Sequence, residues 1–111
     1  MIRVAIERSQ ADRRIRSVHV SGHAEFAEPG KDIVCAGVSA VSVGTVNAIH
    51  RLLDIRLEHE MDKGLLDFRV PDALDEQIAK SVQLLLESMV VMLQTIQTSY
   101  GQYITIRELL K

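Results

Sequence analysis

Ser21-Gly22-His23-Ala24-Glu25-Phe26-Ala27-Glu28-Pro29-Gly30-Lys31-Asp32-Ile33-Val34-Cys35-Ala36 is the stretch on which the reading of this chain turns. Before it, Ile15 to Ser21 alternates, with Val18 and Val20 on one face and Ser17, His19 and Ser21 on the other, the pattern of a half-buried strand. Residues 22–31 have no periodicity and carry Gly22, Pro29 and Gly30, so they form a loop. Asp32 then offers a carboxylate to the free N–H groups of a following helix turn. That helix is expected from about Ile33 to Leu52. Within it Gly37, Ala40, Gly44 and Ala48 fall near helical spacing as a small-residue face. Each interior glycine costs about 1 kcal/mol relative to alanine, so two of them imply a close neighbour.

Working outward, Ile2, Val4 and Ile6 alternate with Arg3, Ala5 and Glu7, a strand that pairs with Ile15–Ser21 as an antiparallel hairpin. After the helix, Ile55, Leu57, His59 and Met61 alternate with charged residues. The turn Asp62-Lys63-Gly64 leads into Leu66, Phe68 and Val70, a second hairpin. Pro71-Asp72 ends that strand and opens a long helix from about Ala73 to Ser99, with a stripe of Leu74, Ile78, Val82, Leu85, Met89, Leu93 and Ile96. Leu84, Val91 and Met92 lie off this stripe, so a second buried contact is expected, most simply a homodimer interface. Gly101 stops the helix, and Tyr103 to Ile106 reads as a final short strand. The order β-β-α-β-β-α-β predicts a two-layer α+β domain over residues 1–111, a mostly antiparallel sheet with helices on one face.

Composition narrows the class. With 47% hydrophobic and 25% charged residues, the 111-residue chain reads as an ordinary globular domain rather than a disordered one. Its net charge of −2, with both signs interleaved, argues against direct nucleic-acid binding. Arg3, Arg8, Arg13, Arg14 and Arg16 gather in the first hairpin, where they are expected to form a solvated outer face. No apolar run is expected to reach the roughly 18–20 residues of a membrane span, and Met1-Ile2-Arg3-Val4 opens as a strand rather than a signal peptide. One cysteine makes no internal disulfide, so the expected compartment is the cytoplasm.

That cysteine has two readings. A thiol attacks as its thiolate, and the first turn of a helix favours that anion through its unpaired N–H groups and dipole. The same N–H groups are candidates to hold an oxyanion. His23, brought near by a glycine-containing loop, is the candidate general base. The alternative is a buried cysteine acting as a small hydrophobe at the apolar start of a core helix. Neither a zinc site on His19, His23 and Cys35 nor a phosphate loop at Gly30-Lys31-Asp32 has its full motif.

Ser21-Gly22-His23-Ala24 followed by Gly30-Lys31-Asp32-Ile33-Val34-Cys35-Ala36-Gly37-Val38-Ser39-Ala40 resembles the ribosomal-processing cysteine protease family. The resemblance extends over nearly the whole chain, through the second hairpin, the long helix and the terminal Tyr-x-x-Ile strand. It implies a bacterial endopeptidase that removes an N-terminal extension from large-subunit ribosomal protein twenty-seven, with no cofactor or metal. It also implies Cys35 as nucleophile, His23 as general base, a homodimer, and a substrate loop that includes Gly22, Ala24, Glu25, Phe26, Pro29, Gly30 and Lys31.

Two supporting residues stay open at this level. Asp32 is a helix cap and loop anchor, or a third group orienting His23. Ser39, one turn after Cys35, touches the site or satisfies a helix carbonyl. His19 is expected to face solvent, and His50 and His59 carry no motif. The rival function is a non-enzymatic ribosome-assembly protein in which Cys35 only packs.

Overall fold

The alternation read in the first hairpin is realised as two seven-residue strands, β1 (Ile2–Arg8) and β2 (Ile15–Ser21), paired antiparallel with Val4 opposite Val20 and Ile6 opposite Val18. The computed structural model describes residues 1–28 and 31–111. There follow α1 (Ile33–Leu53), β3 (Glu58–Asp62), β4 (Leu65–Arg69), α2 (Glu76–Tyr100) and β5 (Ile104–Leu110). The sheet order is β3-β4-β2-β1-β5, antiparallel throughout except for the parallel pair β1–β5. A parallel partner needs a long crossover, and α2 provides it.

Both helices lie on one face of the sheet. Ile2, Val4, Ile6, Ile15, Val18, Val20, Leu66, Phe68 and Ile104 point from the sheet into the core. Val34, Val38 and Ile49 of α1 and Val82, Leu86, Met89, Val90 and Leu93 of α2 meet them there. Gln83 fastens α2 to the sheet through a two-way contact with Ile15, accepting its N–H at 2.7 Å and donating to its carbonyl at 2.8 Å. Those backbone groups sit where the β1–β2 ladder shifts register.

Several expectations need correction. The long helix starts at Glu76, not Ala73, because Asp75 is its cap and accepts from Gln77 and Ile78. Leu86 and Val90 belong to its buried face, which the stripe read from sequence omitted. The third strand is only Glu58–Asp62, and all five of its residues are exposed. Leu57 is buried just before it, so the apolar alternation came from the connection rather than the strand. On the small face of α1, Gly37 does have a close neighbour, Ile96 of α2, 3.6 Å from where its Cβ would stand. Gly44, however, faces open space.

The arginine-rich hairpin is not simply solvated. Arg8 donates to both carboxylate oxygens of Glu87 on α2, at 2.6 and 2.8 Å, and to Glu108 on β5 at 2.8 Å. Arg14 pairs with Glu76 at the start of α2. The expectation about apolar runs also fails, because α1 is long and apolar enough to cross a membrane by length and composition. Here it packs against α2 and the sheet, and its hydropathy comes from valines interleaved with alanine, glycine and serine.

Candidate active site

Cys35 is the third residue of α1, held in its first turn by the cap that Asp32 makes. One carboxylate oxygen of Asp32 accepts from the N–H groups of Val34 and Cys35, each at 3.0 Å. The other accepts from Phe26 at 2.9 Å and Ala27 at 3.3 Å. A single side chain therefore caps the helix and clamps the loop. Partial desolvation raises the Asp32 pKa, but the four backbone N–H groups outweigh it and hold the carboxyl below its ordinary value. Among the described residues neither oxygen bonds His23, so the geometry is that of a cap and loop anchor.

The loop returns a backbone group to the thiol. Ala24, buried beside the helix, donates its N–H to Cys35 Sγ at 3.3 Å. Glu25 then adopts a left-handed conformation (φ 57°), turning the chain outward. Phe26 packs edge-on against Tyr100 at the end of α2 and Tyr103 ahead of β5, with ring centroids 5.7 and 5.2 Å apart. The loop is thus tied at a sulfur, at a carboxylate and at an aromatic pair. Glu25 and Lys31 are exposed, and Lys31 donates to the Glu28 carbonyl at 2.9 Å. Pro29 and Gly30 lie outside the described residues.

His23 stands at the end of β2, where two glycines set its position. Gly22 has φ +88°, and a Cβ there would lie 2.3 Å from the Met1 carbonyl oxygen. Its N–H donates to the Gly64 carbonyl at 2.9 Å. Gly64, in the β3–β4 turn with φ +69°, leaves the space into which the His23 ring fits: a Cβ would be 2.6 Å from Nε2. Sequence reading placed Gly64 only as a turn residue, and a positive-φ turn accounts for a glycine without any neighbour.

His23 and Cys35 line one pocket of about 240 Å³ between α1 and the β3–β4 hairpin. Ser39, exposed one turn beyond Cys35, lines it too. Val20, Val38, Leu65 and Leu66 make its walls largely apolar. Ser42, 1% exposed, also lines it, and its hydroxyl has no hydrogen-bond partner among the described residues. It stands two helical turns from Cys35, a spacing that helical periodicity could have flagged.

One chemical expectation is overturned. The Val34 and Cys35 N–H groups are bonded to the Asp32 side chain, and Ala36 N–H to the Asp32 carbonyl at 3.0 Å. They are therefore not free to receive an oxyanion. They still place partial positive charge beside Sγ. The N–H that reaches Sγ comes instead from the loop, at Ala24. No group of three metal-ligating side chains lies together among the described residues.

The family model described as cysteine protease Prp matches residues 1–105. The ribosomal processing cysteine protease Prp of Bacillus subtilis (strain 168) is 44% identical over 102 residues, covering 90% of each chain. The essential ribosomal processing protease Prp of S. aureus, in complex with a covalently linked product peptide, superposes with a TM-score of 0.86 at 37% identity. That match covers 97% of this chain and 99% of that one. In complex with a substrate peptide it superposes at 0.81 and 35% identity, with the same coverage.

Proposed function

The chain belongs to the cysteine protease Prp family, and from that premise we propose that it cleaves the N-terminal extension from large-subunit ribosomal protein twenty-seven, with Cys35 as nucleophile and His23 as base. The observation that carries the assignment is the shared pocket, with Cys35 in a capped helix turn and His23 seated on Gly64 at its other wall.

In this reading His23 takes the thiol proton and Sγ attacks the scissile carbonyl carbon. The carbonyl π electrons move onto oxygen, and Ala24 N–H, 3.3 Å from Sγ at rest, turns to that oxyanion. Collapse of the tetrahedral intermediate breaks the C–N bond, and His23 returns the proton to the departing amine. Water, deprotonated by His23, then attacks the thioester and releases the acid and the thiol. Asp32 keeps the helix turn and the loop in register, and Ser39 lines the substrate side of the pocket. The place of action is the cytoplasm, where ribosomal proteins are assembled.

The test is incubation with the extended ribosomal protein and mass measurement of the product. Cys35→Ala should keep the fold and bind the extension without cutting it. Undiminished cleavage by that variant would remove Cys35 as the nucleophile, and binding without cleavage by the native chain would leave the assembly-protein reading, in which Cys35 only packs.

We also infer a homodimer through the outer face of α2. Leu84, Val91 and Met92 are 72%, 60% and 41% exposed, Leu84 standing two turns before the other two. Sedimentation should report a dimer for the native chain and a monomer for Leu84→Glu combined with Val91→Glu. A native monomer would sink the idea.

A further inference from the structure

Strand period alone would keep His23 out of the pocket. Along β2 the buried Val18 and Val20 face the core while His19 and Ser21 face the other way, and alternation would send His23 after them. His23 instead lines the pocket with Val20 and Cys35. The reversal occurs at Gly22, whose φ of +88° turns the chain just past the end of β2. The ladder to β4 stops there too, with Ser21 opposite Leu65 as its last pair.

Met1 reaches the chain beyond that turn. Arg3 stands opposite Ser21 in the β1–β2 ladder, so Met1, two residues earlier, stands opposite His23. The Met1 α-amino nitrogen donates to the His23 carbonyl oxygen. The Met1 carbonyl oxygen lies 2.3 Å from where a Cβ on Gly22 would stand. Its neighbour Ile2, 3% exposed, is fixed from the other side by donating its N–H to the Tyr103 carbonyl at 2.8 Å. Met1 is therefore held against the Gly22–His23 turn rather than hanging free of it.

The His23 carbonyl and the Ala24 N–H belong to one peptide unit. No peptide bond among the described residues is cis, so these two groups point in opposite directions from one rigid plane. One end takes the Met1 nitrogen, and the other donates to Cys35 Sγ at 3.3 Å. No freely rotating bond separates the two hydrogen bonds.

We infer that Met1 is a positioning residue for the reaction: its amino group, by holding the carbonyl end of the His23–Ala24 peptide, fixes where the Ala24 N–H lies relative to the sulfur. Swinging the plane would carry that N–H off Sγ, and the Met1 bond resists the swing. Hydrogen bonds in series also polarise one another, so a donor on the oxygen strengthens the N–H at the far end. The neighbouring anchors act elsewhere. Gly22 N–H bonds the Gly64 carbonyl one peptide earlier, and Asp32 takes the N–H groups of Phe26 and Ala27 further on. The catalytic consequence rests on the protease reading, in which the Ala24 N–H receives the oxyanion.

The experiment separates the two. Cys35 is the only cysteine, so the full chain can be assembled by ligating a synthetic segment 1–34 to residues 35–111. Three such chains are compared: the native sequence, Met1→Ala, and one whose residue 1 lacks only its α-amino group. Loss of the amino group should speed hydrogen exchange at the Ala24 amide about tenfold, while the Phe26 and Ala27 amides keep their native rates. It should lower kcat on the extended ribosomal protein about tenfold with KM within about twofold of native. The melting temperature should move by only a few degrees. Met1→Ala retains both backbone groups and should restore each measurement.

Native exchange at Ala24 in the chain without the amino group overturns the inference. So does acceleration spread evenly over residues 24–28, which is opening of the whole loop. Faster Ala24 exchange with undiminished kcat overturns the role in the reaction. A Met1→Ala chain as impaired as the desamino chain transfers the role to the side chain and overturns it as well. If the native chain cleaves nothing, the protease reading falls, and exchange at Ala24 still decides what Met1 holds.

Discussion

The imidazole of His23 rests against the backbone of Gly64, with Nε2 2.6 Å from where a side-chain carbon on that glycine would stand. Two residues forty-one positions apart in the chain are thereby fitted to each other. Gly64→Ala adds a methyl group at φ +69°, a conformation costing a non-glycine residue about 1 kcal/mol. The ring is the movable partner because it is an exposed side chain, so the fold should survive and the base should shift. A displacement of about 1 Å costs on the order of a hundredfold in rate. The expected outcome is a melting temperature lowered by only a few degrees and a large fall in kcat/KM. A variant with native activity would remove Gly64 from the site.

Asp32 gives a pH dependence whose sign is fixed by its bonds. Its folded carboxyl titrates below the ordinary value of 3.8 because four N–H groups favour the anion over the desolvation that opposes it. Stability from those bonds is fully present above 3.8 and disappears as pH falls through the lower, folded value. Asp32→Asn retains one acceptor for the cap, since asparagine caps nearly as well. It turns an NH2 group toward the Phe26 and Ala27 donors. Thermal melts should show a wild-type advantage over Asp32→Asn that is constant near neutrality and shrinks below 3.8. A difference unchanged down to strongly acid pH would contradict the assignment.

Much of this was legible before any coordinates, for physical reasons that differ by residue. β1, β2 and α1 were readable because local period and capping chemistry determine them: Val18 and Val20 alternate, and Asp32 precedes an apolar helix. The start of α2 was misplaced because Asp72 and Asp75 both make plausible caps and only packing chooses between them. Cys35 and His23, which line one pocket, were singled out from spacing and family resemblance. Gly64, the Ala24 amide and the buried hydroxyl of Ser42 were not. Each is placed by a contact between distant segments or by the backbone, which residue type does not encode.

Arg8 illustrates a charge whose partners were invisible in sequence. Its side chain is 16% exposed and grips Glu87 and Glu108, which are themselves about half-exposed. The Glu108 bond is within the sheet, while the Glu87 bond ties β1 to α2. Solvent around the carboxylates limits the gain, so a double-mutant cycle of Arg8→Met with Glu87→Gln should give a coupling of about 1 kcal/mol. That coupling should fall as salt is raised. Zero coupling at low salt would make the bidentate geometry energetically idle.

Phe26 joins the loop to the rest of the molecule, and its loss should be felt at the sulfur. The chain runs from the Ala24 N–H on Cys35 Sγ, through the left-handed Glu25, to a ring packed edge-on against Tyr100 and Tyr103. Each such aromatic pair contributes about 0.5–1.5 kcal/mol beyond burial, toward the lower end for a ring 40% exposed. Phe26→Ala removes that tether but leaves the Asp32 bonds, which act on backbone N–H groups. The global fold has no other stake in the ring, so the melting temperature should barely change. The loop should open more often, exposing the Ala24 amide and withdrawing it from Sγ. Hydrogen exchange over residues 24–28 should therefore accelerate in the variant, and kcat should drop about tenfold, the effect of losing an aligned donor for part of the time. Unchanged exchange with reduced kcat would place the role of Phe26 in direct contact with substrate instead.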